Sequence, residues 1–214
     1  MNKLRNSPNC REPLTTAVMT LLLLIVPLFI APAGADIVTD GSLGAAGPLS
    51  GPDFQITADL GQQQGNNLFH SFSRFDIASG ESATFSGPAS IANIISRVTG
   101  GNASTIDGLL RSQISGANLF LLNPAGVLFG PNATLDVSGS LHVSSADYLA
   151  FDDDSRFYST PQVGEVLSTA AFGFIDGNTR DIRIQGTNLM LEEDNTLNLA
   201  TRAVLHSITL HRLR

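Results

Sequence analysis

The residues best suited to chemistry in this 214-residue chain are an acidic run and two histidines. Residues 152–154 are three consecutive aspartates, and Arg156 follows them closely. Carboxylates beside a basic residue serve general acid–base catalysis and calcium-assisted lyase chemistry. The run lies in a polar stretch, however, and a solvated acidic loop is the simpler interpretation.

The two histidines predict structural roles. His70 stands between Phe69 and Phe72, where we expect a buried histidine whose ring is hydrogen-bonded. His142 falls on the polar side of an alternating segment. Neither histidine has a cysteine or second histidine at ligand spacing, and no phosphate-binding or nucleophile motif is present, so the sequence predicts no metal and no cofactor.

Residues 1–35 predict a secretory signal peptide. Three basic residues precede an apolar run at 17–30, and Ala33-Gly34-Ala35 offers a small-residue cleavage site. A retained membrane anchor is the alternative, but the run is short for a hydrocarbon core about 30 Å thick. We expect export by the Sec machinery, loss of the only cysteine (Cys10), and a mature chain that begins at Asp36.

The charge of the remaining chain excludes two classes of partner. Of the 12 basic and 19 acidic residues, three and one fall in the signal segment, which leaves nine arginines, no lysine and 18 acidic residues. A net charge of −9 argues against nucleic acid and anionic membranes as partners, because both bind clustered positive charge.

The sequence after the signal segment predicts short strands, which must position the acidic run and the histidines. Gly, Asn, Asp and Ser punctuate the chain about every ten residues, and no helical period is present after the signal segment. Residues 134–144 alternate strictly between apolar and polar positions and predict one strand with one buried face. Residues 181–186, 187–192 and 195–200 show the same pattern.

Weak internal repeats predict how these strands are arranged. An asparagine turn precedes an apolar strand at 101–107, 131–136 and 194–198, and the segments ANIIS (92–96) and ANLFL (117–121) are offset by 25 residues. Self-similarity at this spacing in an all-β chain favours a solenoid whose coils bury their apolar faces on one another, namely a parallel β-helix. A jelly roll or immunoglobulin-like sandwich is the alternative.

The mature chain divides by composition into four parts. Residues 36–54 are rich in Gly and Pro and are predicted to form an N-terminal cap. Residues 55–151 are the dense apolar part, 152–162 form a polar loop, and 163–199 resume the strand pattern.

Two segments carry a resemblance to a known family. NNLFHSF at 66–72 is followed by Phe75, and NPAGVLFG at 123–130 is followed by Asn132. Both resemble the N-terminal secretion domain of two-partner secretion exoproteins, the filamentous haemagglutinin family, and the resemblance covers about 37–199. It implies a right-handed parallel β-helix without catalytic activity.

The resemblance also implies a route and a partner. Such a domain is recognised in the periplasm by the POTRA domains of a dedicated outer-membrane β-barrel transporter. It then folds outside the cell and nucleates a longer β-helical adhesin or haemolysin, so we expect a secreted or cell-surface protein.

Carried over by position, the family motifs give the candidate site. Its residues are Asn123, Pro124, Ala125 and Gly126 together with Asn67, Leu68, Phe69, His70 and Phe72. Many members carry a second asparagine where this chain has Ala125. By itself the NPAG segment predicts a type I or type II turn, with a positive φ at Gly126. Two interpretations fit this pattern. The segment is a solenoid corner that contacts no partner, or the transporter recognises it directly.

An enzyme is the alternative function, because parallel β-helices also host polysaccharide lyases and hydrolases. A galacturonan hydrolase of this fold would carry Gly-His-Gly and Arg-Ile-Lys elements. The chain has no Gly-His-Gly, and Arg183-Ile184-Gln185 lacks the lysine.

The last stretch departs from the pattern before it. Residues 200–214 hold three arginines and two histidines and lack the Gly and Asn corners. We expect a frameshifted or truncated exoprotein; the alternative is a natural amphipathic cap in which Val204, Ile208 and Leu210 cover the last coil.

Overall fold

The computed structural model describes residues 36–168, 180–185, 189–191 and 194–200, and the backbone of 205–209. The predicted signal peptide, 1–35, and most of the atypical tail lie outside the described residues. Within the described part of the chain, no helix has the length and apolar character needed to cross a membrane.

The described chain is built from short strands and one 3-10 turn at Ala58–Leu60. In chain order the strands are β1 (Ile37–Thr39), β2 (Gly47–Pro48), β3 (Asp53–Ile56), β4 (Gln62–Gln64), β5 (Asn67–Phe75), β6 (Ser82–Phe85), β7 (Asn93–Val98), β8 (Ser104–Ile106), β9 (Leu109–Ser112), β10 (Asn118–Leu122), β11 (Val127–Phe129), β12 (Thr134–Asp136), β13 (Leu141–Ser144), β14 (Tyr148–Ala150), β15 (Arg156–Tyr158), β16 (Ile182–Ile184), β17 (Thr196–Ala200) and β18 (Leu205–Thr209).

Three parallel sheets wind into a solenoid of about four turns. Sheet A is formed by β5, β7, β10, β13 and β17, sheet B by β3, β6, β9 and β12, and sheet C by β8, β11 and β16. Successive strands of each sheet pair in parallel, as β7 does with β10 and β8 with β11. The predicted parallel β-solenoid is therefore confirmed, and the described strands do not form the facing antiparallel sheets of a sandwich.

The 25-residue offset is the length of a coil. Asn93 pairs with Asn118 across β7 and β10, and the four following residues of each strand pair in the same register. The asparagine-turn similarity has a different origin, because β8, β12 and β17 belong to three different sheets. Those segments resemble one another because each follows a corner.

The predicted single strand at 134–144 is wrong in one respect. The chain forms β12 in sheet B and then β13 in sheet A, with a corner at 137–140 between them. Val137 stays buried through the corner. The alternation keeps its phase across the turn, so its period alone could not reveal the break.

The main core is a stack of inward-facing side chains along the solenoid axis. One column runs through all five strands of sheet A and is almost completely buried: Leu68, Ile94, Leu119, Leu141 and Leu197. Burial of an aliphatic side chain of this size contributes about 1.5–3 kcal/mol. No coil could bury this column alone, so each stabilises the next.

Antiparallel strands flank sheet A. β1 pairs with β5 and β2 at the N-terminal side, where the cap was predicted, and β4 also pairs with β5. β3, at the end of the predicted cap, already belongs to sheet B. β18 pairs antiparallel with β17.

A hairpin of β14 and β15 leaves the solenoid between β13 and β16. The predicted polar loop is confirmed for the three aspartates at 152–154, which are exposed. The flanking residues are only partly solvated: Arg156 is exposed, whereas Leu149, Phe151 and Phe157 are buried in a second core on the outer side of sheet A. The aspartates dominate the composition there and conceal the apolar positions around them.

Candidate functional site

The NPAG segment forms the corner between β10 in sheet A and β11 in sheet C. The Gly126 amide donates to the Asn123 carbonyl over 2.9 Å, which closes a four-residue turn. Ala125 keeps a negative φ, so the turn is type I rather than type II. Gly126 has the predicted positive φ, at 101°, and a Cβ there would lie 2.6 Å from the Asp181 carbonyl oxygen.

Asn123 is fully buried and its side chain is hydrogen-bonded on both sides. Its Nδ2 donates to the Asn102 carbonyl and to Ser104 Oγ, each over 3.0 Å. Its Oδ1 accepts the Ala125 amide over 2.9 Å. The side chain therefore ties this corner to the preceding coil and faces no solvent.

Pro124 and Ala125 are the motif residues that reach the surface. They are half-buried and line an open groove of about 880 Å³ beside sheet C. Charged side chains of both signs border the groove: Asp147, Arg180, Asp181 and Arg183. Arg183 and Asp181 form an exposed ion pair over 2.8 Å.

The NLFHSF segment lies in β5, where inward and outward residues alternate. Leu68, His70 and Phe72 point into the solenoid, whereas Phe69 points to the opposite side of sheet A and joins the second core there. All of these side chains have no exposed surface. The nine candidate residues therefore do not form one site: the two segments lie on different parts of the solenoid.

Asn67 begins a ladder of asparagine side chains along sheet A. Asn93 Nδ2 donates to Asn67 Oδ1 over 2.9 Å, and Asn118 Nδ2 donates to Asn93 Oδ1 over 3.2 Å. The Ser140 amide donates to Asn118 Oδ1 over 2.9 Å. Asn67 also donates to the Ser168 carbonyl over 3.1 Å. The ladder thus joins four successive coils, and Asn67 connects it to the segment after the hairpin.

His70 differs from its prediction. The ring is completely buried, but among the described residues neither ring nitrogen has a hydrogen-bond partner. The same is true of the hydroxyl of Ser96, its register partner in β7. The ring packs instead against Phe85 at 5.5 Å and Phe72 at 6.1 Å between centroids. Burial lowers the pKa of His70 to about 4, against a smaller opposing effect of Asp59. His70 is a neutral core residue.

His142 points outward from β13, as predicted. Its ring stacks on Phe120 with the centroids 4.2 Å apart, and its Nδ1 lies 3.0 Å from Asn198 Nδ2. Burial lowers its pKa to about 4. In the described residues, no three His, Cys, Asp or Glu side chains are grouped so as to hold a metal ion.

The acidic run lies on the hairpin. Asp153 accepts hydrogen bonds from Ser155 and Ser168, which lower the pKa of its carboxyl. Arg156 lies over the Tyr148 ring, 4.4 Å from its centre. A carboxyl with a lowered pKa is a poor general acid, so this geometry adds no support to the enzyme alternative.

Sequence reasoning missed a buried polar network centred on Arg97. This β7 side chain is 1% exposed and forms an ion pair with Glu165 over 2.6 Å. It also donates to the Tyr158 carbonyl and to Ser71 Oγ, each over 2.8 Å, and lies 4.5 Å from the centre of the Phe157 ring. The signal was present as a lone arginine within the strand NIISRV.

Asp40 extends this network to the N-terminal cap. Its carboxylate accepts hydrogen bonds from Ser71 over 2.6 Å and Thr99 over 3.0 Å. Burial alone would raise the pKa of Asp40, but the hydrogen bonds from Ser71, Ser42 and Thr99 outweigh it and lower the pKa. Cap, solenoid and hairpin therefore share one network of charges.

The stacked parallel strands and the buried asparagine corner define the class of the described chain as a β-solenoid domain. The sequence profile of the TPS secretion domain matches residues 35–207. The chain belongs to this two-partner secretion family, as its motifs predict, and is a domain of an exoprotein secreted with an outer-membrane transporter as its partner. No curated protein matches the chain.

Proposed function

We propose that this domain is read by the POTRA domains of its transporter in the periplasm, after Sec-dependent export, while the chain is still unfolded. Folding of the solenoid outside the cell then ends recognition and nucleates further β-helical coils of an adhesin-like exoprotein. Family membership supports the transporter as partner. We infer that recognition precedes folding because the motif side chains are buried in the folded domain.

The observation that carries the proposal is the inaccessibility of the motif side chains. Asn67, Leu68, Phe69, His70, Phe72 and Asn123 are each at most 2% exposed in the folded domain. A partner can contact these side chains only before the coils close. Burial of the motif side chains therefore limits transporter recognition to the unfolded chain, and it explains why folding releases the transporter.

The experiment compares transporter binding to unfolded and folded forms of the mature chain. We expect the isolated POTRA domains to bind chain held unfolded in dilute urea and to bind the refolded domain at least about tenfold more weakly, a difference of about 1.4 kcal/mol. Equal binding to both forms would contradict recognition before folding.

Two corner prolines provide a matched test of the NPAG motif. Pro124 lies in the motif, whereas Pro131 lies at the next corner and is exposed. We expect Pro124→Ser to weaken POTRA binding and secretion, and Pro131→Ser to leave both unchanged. Equal effects would show that corner geometry matters and the motif does not.

A further inference from the structure

The segment at the end of the hairpin contacts strands that are distant from it in sequence. Contacts along the solenoid normally join neighbouring coils, as between Asn93 and Asn118, which are 25 residues apart. Glu165 instead pairs with Arg97, 68 residues earlier, and the Ser168 carbonyl accepts a hydrogen bond from Asn67, 101 residues earlier. We call residues 157–168 the strap, because they lie against the outer side of sheet A.

The strap has a surface to bind only when strands of sheet A are already paired. Phe157 packs on Phe69 of β5 with 5.0 Å between ring centroids, and the Arg97 guanidinium of β7 lies 4.5 Å from the centre of the Phe157 ring. Phe69 and Arg97 come together through the pairing of β5 with β7. Closing the long loop between Arg97 and Glu165 costs entropy, and coils formed in between reduce that cost. We therefore expect the strap to dock after the coils.

The N-terminal cap offers Arg97 a carboxylate before the strap arrives. Ser71 Oγ accepts a hydrogen bond from Arg97 Nε over 2.8 Å and donates one to Asp40 over 2.6 Å. Ser42 Oγ forms a second bridge, 3.1 Å from Arg97 Nη2 and 2.7 Å from Asp40 Oδ1. These bridges involve only the cap, β5 and β7. The coils can therefore form around Arg97 while the strap is still undocked.

Docking of the strap then buries Arg97 against a second carboxylate. Glu165 Oε2 forms an ion pair with Arg97 over 2.6 Å, and the two side chains are 8% and 1% exposed. Glu165 Oε1 accepts the Tyr158 amide over 3.0 Å, so the same carboxylate holds the strap to the hairpin. Separating a buried ion pair is costly, because neither charge is solvated when the contact breaks. Undocking of the strap therefore opposes unfolding.

We propose that the strap is a kinetic lock, which docks after the coils have formed and slows unfolding without speeding folding. The inference is independent of the transporter, because it concerns only contacts within the mature chain. The cap and the strands of sheet A set the rate at which the coils form. The strap keeps the completed domain from opening again.

Two carboxylate-to-amide variants of the same network test this order of events. Stopped-flow circular dichroism in urea measures the folding and unfolding rates of the mature chain. We expect Glu165→Gln to raise the unfolding rate at least about tenfold and to change the folding rate by less than about twofold. Asp40→Asn should instead lower the folding rate, because its bridges form with the coils. Asp152→Asn, at the exposed hairpin tip, is the control that should leave both rates unchanged.

The division of each effect between the two rates decides the outcome. If Glu165→Gln slows folding as much as Asp40→Asn does, the strap docks together with the coils and the inference is wrong. An unfolding rate of Glu165→Gln equal to that of wild type would also overturn it, because the strap would then lock nothing.

Phe157→Leu covers the case in which Glu165→Gln does not fold. This variant removes the ring between Phe69 and Arg97 and retains both charges of the ion pair. We expect the same pattern, with faster unfolding and an unchanged folding rate. Loss of stability that appears in the folding rate of Phe157→Leu would contradict a strap that docks last.

Discussion

At the scale of single residues, His70 shows what the interior of this solenoid requires. An imidazole without hydrogen bonds is tolerated among Phe72 and Phe85 only in its neutral form, because burial penalises the charged ring. His142, packed on Phe120, is subject to the same effect. Both rings therefore link folding to pH.

We expect the folded domain to lose stability as pH falls from about 6.5 towards 4. In this range the unfolded chain binds protons at His70 and His142 that the folded chain does not, since their folded pKa values are lowered from 6.5 to about 4. Stability is thus fully present above pH 6.5, and each histidine costs about 2 kcal/mol at pH 5. Urea unfolding at pH 8 and pH 5 measures the loss.

His70→Leu isolates the contribution of one ring. The variant retains His142 and all carboxylates, so its stability should fall by about 2 kcal/mol less than that of wild type between pH 8 and pH 5. An identical fall in both proteins would show that His70 does not titrate on unfolding.

At the scale of elements, the asparagine ladder couples strands that are distant in sequence. Asn93 is its central member, because it donates to Asn67 and accepts from Asn118. The corner asparagine Asn102 offers a contrast: its side chain is exposed and donates to the Gly100 carbonyl over 3.3 Å, two residues away.

Asn93→Ala should lower the free energy of unfolding by about 2 kcal/mol, because it leaves two hydrogen-bonding amides without their partner. Asn102→Ala should change it by less than about 0.5 kcal/mol. Urea denaturation followed by circular dichroism compares the two. Equal losses would mean that the ladder contributes nothing beyond an ordinary surface bond.

The corners limit how closely successive coils approach. A Cβ at Gly139 would overlap the Ala117 carbonyl of the preceding coil, whereas one at Gly116 would meet nothing within 4 Å, although Gly116 has a φ of 70°. Glycine is thus required at Gly139 for space and at Gly116 for backbone conformation.

Gly139→Ala should destabilise the domain by about 3 kcal/mol, because the backbone of a packed coil must move. Gly116→Asn, at an open position whose left-handed conformation asparagine accepts, should cost less than about 1 kcal/mol. Thermal unfolding of both variants tests this, and a Gly139→Ala protein as stable as wild type would contradict the close approach seen between coils.

At the scale of the whole molecule, Arg97 joins parts that the solenoid alone would not hold together. It bonds Ser71 of β5, the carbonyl of Tyr158 in the hairpin and Glu165 beyond it, and through Ser42 it reaches the N-terminal cap. Arg111, by comparison, forms an ion pair with Asp136 in which both side chains are largely exposed.

Arg97→Met should cost about 3–5 kcal/mol, because Glu165 is left buried without a charge partner. Arg111→Met removes the same charge from an exposed pair and should cost less than about 1 kcal/mol. Chemical unfolding and proteolysis within 148–158 provide the readouts. If Arg97→Met lowers the free energy of unfolding only slightly and residues 148–158 still resist proteolysis, apolar packing alone holds the hairpin against sheet A.

The sequence by itself determined the class of fold and the family. Period-two alternation requires strands, and the 25-residue offset between ANIIS and ANLFL is reproduced as the register of Asn93 on Asn118. The NPAG corner formed with the predicted positive φ at Gly126. These features depend on contacts within a few residues or on direct repetition, and both are legible in a linear chain.

Only the tertiary structure decided which faces are covered and which charges meet. Arg97 and Glu165 are 68 residues apart, and nothing local links them until the coils are wound and the hairpin folds back. The corner after β12 was invisible because the alternation keeps its phase through the turn. Phe157 is buried for the same general reason. The outer face of a sheet becomes part of a core only when another segment of the chain packs against it.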